Sequence, residues 1–242
     1  MYKKISIIGA GTWGVAIANH LSLKAPTYLS HYRKSFLKKI EEKRVHPNIK
    51  NFTIPDSVKI NYGKEKKFDL YIISVPIQYI RSTLDVIRIP AHSNILILSK
   101  GIEKETLFFP SQIVRDKLNK KDSNIAILSG PSHAEQVLKK NPTSVVVGCN
   151  NEGFSKELQK LFSDKYFRAY SSNDMLGLEL GGAVKNVIAI AAGIAYGLGY
   201  RENTISALLT RGIYEIKKIG LSIGVKENTL NGLGGIGDLM AT

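Results

Sequence analysis

A chain of 242 residues with 43% hydrophobic side chains can bury a sizeable core, in one large domain or two modest ones, and this excludes global disorder. One cysteine, Cys149, excludes an internal disulfide framework and fits a reducing compartment. The net charge of +14 points to anionic partners, but the Lys and Arg residues are spread along the chain and no nucleic-acid recognition motif accompanies them, so phosphorylated small molecules are favoured over nucleic acid.

The basic start Met1-Tyr2-Lys3-Lys4 followed by ISIIGAG has the look of a signal peptide. Gly9, Gly11 and Gly14, then Asn19 and His20, break the apolar run, and no small-residue cleavage site follows. No uninterrupted apolar run reaches the length of a membrane span, so a cytoplasmic protein without membrane insertion is expected.

KISIIGAG reads as a strand ending in glycines, Thr12 to Leu23 as a helix, Tyr28 to Tyr32 as a second strand, and Ser35 to Arg44 as a charged helix. DLYIISV, residues 69 to 75, is a near-continuous apolar run of the kind covered on both faces, and Pro76 ends it. Asn94 to Leu98 and Asn124 to Leu128 repeat that pattern, and Ser144 to Gly148 offers another strand. Strands alternating with helices predict an α/β fold, a Rossmann-type, doubly wound, mostly parallel sheet. From Asp174 onward no strand signal appears. Asp174 can cap a helix running into ELGGAVKN, and Asn203 can cap the next helix. The expected division is a dinucleotide-binding domain over residues 1–172 and a mainly helical substrate domain over 173–242.

Gly9-Ala10-Gly11-Thr12-Trp13-Gly14 closes the first strand and opens the first helix, which is the setting G-x-G-x-x-G requires. Gly9 permits the tight turn, Gly11 admits a pyrophosphate against the backbone, and Gly14 lets helix pack on strand. The helix N-terminus then offers free N–H groups to the phosphates. An acidic residue at the end of the second strand would mark NAD; here stand His31-Tyr32-Arg33-Lys34, whose two cations suit the 2′-phosphate of NADP or are simply solvated. NADP is favoured, with dual use of NAD left open.

These residues, together with Val75-Pro76, LSKGIE at 98–103, LSGPSHAEQV at 128–137, ELGGAVKNVIAIAAGIAYGLGY at 179–200 and NGLGGIGDLMAT at 231–242, resemble the bacterial type of NAD(P)-dependent glycerol-3-phosphate dehydrogenase, in family order and along the whole chain. The resemblance implies reversible hydride transfer between sn-glycerol 3-phosphate and NAD(P), with dihydroxyacetone phosphate as the ketone, supplying phospholipid backbones. It implies that Lys185 is the general acid/base. Lys100 would touch both cofactor and substrate, Gly130 and Ser132 would contact substrate, and Asp238 is the acidic residue of the GDL motif at the substrate. Thr12, Trp13, Arg33 and Ala134 would contact cofactor. It also suggests a homodimer through the helical part.

Oxidising a secondary alcohol requires a base for the hydroxyl proton, and the reverse requires an acid; a lysine serves both once its pKa is drawn toward the working pH. An apolar helix would do this to Lys185 by desolvation, Lys100 would push the same way, and a nearby Asp238 would oppose it. Against this stands a lysine at the helix rim that snorkels to water. Asn186 either orients substrate or caps a helix, and Asp238 and Ser132 can be read as N-caps. The five histidines show no metal-ligand spacing and Cys149 has no partner in sequence, so no metal and no nucleophilic cysteine are expected.

The sequence departs from the family at its end. Family members continue beyond GDLMAT with a serine-arginine-asparagine segment that helps bind substrate phosphate and cofactor. The alternative to an enzyme is therefore a dinucleotide-binding remnant, and the helical part is expected to expose apolar surface.

Overall fold

The computed structural model describes residues 2–119 and 124–242, so Met1 of the signal-like start lies outside it. Among the described residues eight strands form one sheet: β1 (Ile5–Ile8), β2 (Thr27–Ser30), β3 (Val58–Ile60), β4 (Leu70–Ile73), β5 (Asn94–Ile97), β6 (Ile125–Ser129), β7 (Thr143–Gly148) and β8 (Phe167–Ser172). Their order is β3-β2-β1-β4-β5-β6-β7-β8. All pairings are parallel except β6 with β7. The helices are α1 (Thr12–Ser22), α2 (Lys34–Lys43), α3 (Ile80–Val86), α4 (Pro110–Leu118), α5 (Ala134–Leu138), α6 (Glu152–Phe162), α7 (Met175–Gly197), α8 (Glu202–Ser222), α9 (Glu227–Asn231) and α10 (Asp238–Met240).

The period-two pattern explains why the central strands read as unbroken apolar runs. Leu70, Ile72 and Leu96 face one core, with Ile5, Ile7, Val15 and Leu29. Tyr71, Ile73, Ile95 and Ile97 face the other, with Ile8, Ile80 and Ile113. Both faces are covered, so each side chain is removed from water, worth about 1.5–3 kcal/mol per large aliphatic residue. Sequential crossovers lead outward from β1 in both directions, and the strand order reverses between β1 and β4. Ligands of such sheets sit at the carboxyl ends of the strands at that reversal.

Beyond β8 the chain is helical. α7 starts against the sheet, where Met175 and Leu178 join the second core, and continues into a third small core of Leu180, Ile216, Val225 and Leu230. Asp174 does cap α7: its Oδ1 accepts from the Gly177 N–H at 3.0 Å, while its Oδ2 accepts from the Lys226 N–H at 2.9 Å. The expected cap of α8 differs. α8 begins at Glu202, one residue before Asn203, and its N-cap is Arg201 with no side-chain cap bond. α7 is 23 residues long and apolar enough, by length and composition alone, to cross a membrane, although Glu179 and Lys185 interrupt its apolar run. It carries Glu179, Lys185 and Asn186 within a mostly small or apolar stretch, and its N-terminal part is buried in the protein. Farther along, Val187, Ile190 and Ile194 are exposed.

Candidate active site at the carboxyl edge of the sheet

The glycine turn follows β1 as expected. Gly9 has φ +115°, a conformation that favours glycine, and a Cβ there would lie 2.1 Å from the Ser74 carbonyl oxygen. A Cβ on Gly14 would lie 1.9 Å from the Gly9 oxygen, so this position must be glycine for α1 to sit on the turn. Gly11 is different: a Cβ would meet nothing within 4 Å. The space above Gly11 is therefore open, and Gly11 is the N-cap of α1 with no side chain satisfying the first N–H groups. An open cradle lined by free N–H donors at a positive helix end is what a pyrophosphate requires. Thr12 and Trp13 are the first residues of α1 and are half-buried, Trp13 packing on the first core.

His46 also supports this turn, which the sequence did not suggest. The Asn48 N–H donates to its Nδ1 at 3.1 Å, so the proton sits on Nε2 and is donated to the Ala10 carbonyl at 3.1 Å. Burial holds His46 below the ordinary histidine value, consistent with a neutral ring. Its distance in sequence from the glycines, with no motif between, left no signal.

Arg33 lies just past β2, exposed, with its guanidinium 5.1 Å from the Tyr32 ring centre. The end of β2 abuts the glycine turn, since the Gly9 N–H donates to the Ser30 carbonyl at 2.9 Å. Ala134 opens α5, which packs against α1. These residues share the carboxyl edge with the glycine turn.

The second group of expected residues comes together tightly. Lys100 follows β5, Gly130 follows β6, Lys185 stands on α7, and Asp238 opens α10 after a π-helical turn, Leu233–Gly237. The Asp238 carboxylate is 3% exposed; its Oδ2 accepts from Lys100 Nζ at 2.6 Å and its Oδ1 from Lys185 Nζ at 2.7 Å. Lys185 Nζ also donates to Thr242 Oγ1 at 2.7 Å, and that hydroxyl donates to the Asp238 carbonyl at 2.7 Å. Lys100 Nζ reaches the Gly130 carbonyl at 3.5 Å, and Ser132 Oγ donates to the same oxygen at 3.1 Å. Lys185, with a side chain 12% exposed, does not snorkel to open water.

The two cap alternatives are corrected here. The Asp238 carboxylate is committed to the lysines, and α10 has no side-chain cap bond. The residue at the N-cap of α5 is His133 rather than Ser132. Asn186 is exposed on α7 beside Lys185.

The glycines of ELGGAVKN explain how three backbones reach one carboxylate. A Cβ on Gly181 would lie 2.3 Å from the Gly234 carbonyl oxygen, so α7 touches the π turn that delivers Asp238. A Cβ on Gly182 would lie 3.2 Å from the Lys100 Cδ, so the same helix also accommodates the Lys100 stem.

The cluster holds two cations and one anion, a net positive site. Burial pulls Lys100 below its ordinary lysine value; Asp238 works against this, and the neighbouring Lys185 works with it. Such a site can stabilise an anionic ligand and pass a proton from an ammonium. Among the described residues no group of three or more His, Cys, Asp and Glu could hold a metal ion.

The glycine turn at the strand-order reversal, with this lysine–aspartate cluster beyond the carboxyl ends of β5 and β6, defines a dinucleotide-binding α/β protein with an ionisable site on the same edge of the sheet. Comparison with known proteins narrows this. Residues 4–155 match the family described as NAD-dependent glycerol-3-phosphate dehydrogenase N-terminus, and residues 174–242 match its C-terminus. A Fusobacterium nucleatum protein named glycerol-3-phosphate dehydrogenase (NAD(P)+) is 39% identical over 246 residues, covering 99% of this chain and 73% of that protein. One of the same name from Thermotoga sp. (strain RQ2) is 44% identical over 238 residues, 98% of this chain and 72% of the relative. A crystal structure of glycerol-3-phosphate dehydrogenase from Coxiella burnetii superposes with a TM-score of 0.91 at 32% identity, over 99% of this chain and 75% of that one. The chain belongs to the NAD-dependent glycerol-3-phosphate dehydrogenase family.

Proposed function

We propose that the protein interconverts dihydroxyacetone phosphate and sn-glycerol 3-phosphate with NAD(P), and that its product feeds glycerophospholipid synthesis. The observation that carries this reading is the pair of lysines, Lys100 and Lys185, on the single buried carboxylate of Asp238 at the cofactor edge. Relatives named as the catalysing enzyme over nearly the whole chain favour this over a dinucleotide-binding remnant.

When bound, the nicotinamide supplies or accepts the hydride. The residues present fit a dinucleotide: the open cradle at Gly11, the donors at Thr12 and Trp13, and the close turn at Gly9 and Gly14 would hold the pyrophosphate. Arg33 beside the end of β2 would take the 2′-phosphate of NADP, with NAD also accepted; Lys100 and Ala134 complete the contact. Lys185 Nζ acts on the proton. As an ammonium it donates to the carbonyl oxygen of the ketone; as an amine it takes the hydroxyl proton of the alcohol. Asp238 fixes the Lys185 ammonium in one direction and keeps both cations in a half-buried site. Lys100 offers positive charge to the substrate, and Gly130 with Ser132 lines the approach from β6.

Residues 1–172 would then serve as the cofactor domain and 173–242 as the substrate domain. A cytoplasmic enzyme acting on a phosphorylated metabolite is consistent with the +14 charge, without nucleic acid or membrane insertion. The exposed Val187, Ile190 and Ile194 on α7 support a homodimer through the helical part. The test is loss of NADPH absorbance on adding dihydroxyacetone phosphate. Turnover supports the assignment; no turnover with NADPH bound would contradict it.

A further inference from the structure

Glu179 is one of three buried carboxyls, with Glu103 and Asp174, among the described residues that the proposed chemistry does not use. It stands on α7, six residues before Lys185, and is 6% exposed. Its Oε1 accepts from the Ser111 backbone N–H at 2.7 Å, and its Oε2 pairs with Ser111 Oγ at 2.8 Å. Ser111 is the second residue of α4, whose first-turn N–H groups need acceptors from outside the helix. Glu179 therefore supplies, from a helix 68 positions away, an acceptor to the N-terminus of α4.

The groups around it have other partners. Asp174, the N-cap of the same helix, binds the Gly177 and Lys226 amides, and Lys185 binds Asp238. Glu103 and Asp116 bind Arg81. Arg115 of α4 is the charged side chain that acts on Glu179, favouring the carboxylate, whereas burial, the larger influence, favours the neutral acid. The clamp holds in either state, because the Ser111 hydroxyl can donate to a carboxylate or accept from an acid.

We propose that Glu179 is a positioning residue: its two bonds to Ser111 pin α7 to the N-terminus of α4 and thereby fix the height at which Lys185 meets Asp238 and the substrate. This rests on the assignment of Lys185 as acid/base. α4 packs on β6 and on α3, and α7 itself packs on β6 and β7, so the clamp is a second tie between the helix carrying Lys185 and the sheet carrying Lys100 and Gly130. With Glu179 gone, a polar hole remains beside Ser111 and α7, still seated on the sheet through Met175 and Leu178, loses its tie to α4 on the side toward Lys185. A misplacement of the order of 1 Å near a reacting atom can cost about 100-fold in rate.

The test compares the parent with Glu179→Ala, Glu179→Gln and Ser111→Ala. Steady-state reduction of dihydroxyacetone phosphate, NADPH binding by fluorescence, and amide hydrogen exchange of α7 against the central strands are measured. Glu179→Ala is expected to lower kcat by about 10-fold to 100-fold with NADPH affinity within about twofold, and to raise exchange in residues 180–188 alone. Glu179→Gln, which keeps an acceptor for the Ser111 N–H, should recover most of kcat, and Ser111→Ala should fall between. If Glu179→Ala does not fold, Ser111→Ala carries the same expectations at smaller size. Unchanged kcat and unchanged α7 exchange in folded variants overturn the proposal. So does an exchange increase spread equally over β1, β4 and β5, which would mark a purely structural role. An inactive parent would defeat the assigned reaction instead, and the exchange of α7 would then decide the clamp alone.

Discussion

Replacing Asp238 by Asn keeps the shape of the side chain and removes its charge. The carboxylate is 3% exposed and receives Lys100 at 2.6 Å and Lys185 at 2.7 Å, whose side chains are 28% and 12% exposed. Without it two ammonium groups face each other in a half-buried site with no counter-ion. Breaking a buried pair by removing one partner costs about 3–5 kcal/mol, and the residual exposure of Lys100 puts the expected loss near the lower end, about 3 kcal/mol. The pH dependence has a definite sign. Lys100 is already held below its ordinary value by burial and by Lys185, with Asp238 the opposing influence, so the substitution lowers it further. A lysine whose folded value is depressed destabilises the fold while it is charged, and the penalty is relieved as pH rises toward its unfolded value. Asp238→Asn should therefore be least stable relative to the parent at pH 7 and recover part of the difference at pH 9.5. Urea unfolding at both pH values, with unchanged m, measures this. A loss under about 1 kcal/mol at pH 7, or an equal loss at both pH values, would refute the picture of one carboxylate shared as counter-ion by two lysines.

Other outcomes follow from the same contacts. Gly181→Ala would put a Cβ 2.3 Å from the Gly234 oxygen, so α7 and the π turn must separate. A loss of about 1–3 kcal/mol in urea unfolding, with a fall in kcat larger than in NADPH affinity, is expected, and an unchanged midpoint would contradict that contact. Arg33→Ala should weaken NADPH by about 10-fold or more while leaving NADH nearly unchanged, since only NADPH carries the 2′-phosphate; equal effects on both cofactors, read by fluorescence titration, would remove Arg33 from that role. Glu179 is raised by burial from 4.5 to about 7, so it stabilises the fold fully below pH 4.5 and loses that contribution as pH rises through 7. Glu179→Gln should therefore gain on the parent between pH 5 and pH 8, by up to about 3 kcal/mol in unfolding free energy, and parallel pH curves would contradict the raised value.

The central strands were legible because burial on both faces leaves continuous Ile and Leu, and the glycine turn because each glycine answers a distinct steric demand. β3 and β8 were not. β3 is three residues, VKI, at the sheet edge. β8, FRAYSS, alternates buried Phe167 and Ala169 with exposed Arg168 and Tyr170, and its polar end hid it beside the helical segment. The antiparallel turn from β6 to β7 has no mark in composition. Around the candidate site, Lys100, Lys185 and Asp238 were singled out through motifs, and the structure brings them within hydrogen-bond distance. What no local pattern could give was that one carboxylate binds both lysines, because residues 100, 185 and 238 meet only through the packing of α7 on the π turn. His46 and Glu179 were missed for the same reason: each acts on backbone groups far away in sequence.

The most direct measurement is NADPH oxidation by dihydroxyacetone phosphate with the parent chain and with Lys185→Ala, each checked for NADPH binding by fluorescence. Lys185 as the proton donor predicts turnover in the parent and a fall of about 100-fold to 10,000-fold in kcat in the variant, with NADPH affinity preserved. Parent-like turnover in Lys185→Ala, with the variant folded and NADPH bound, would contradict it.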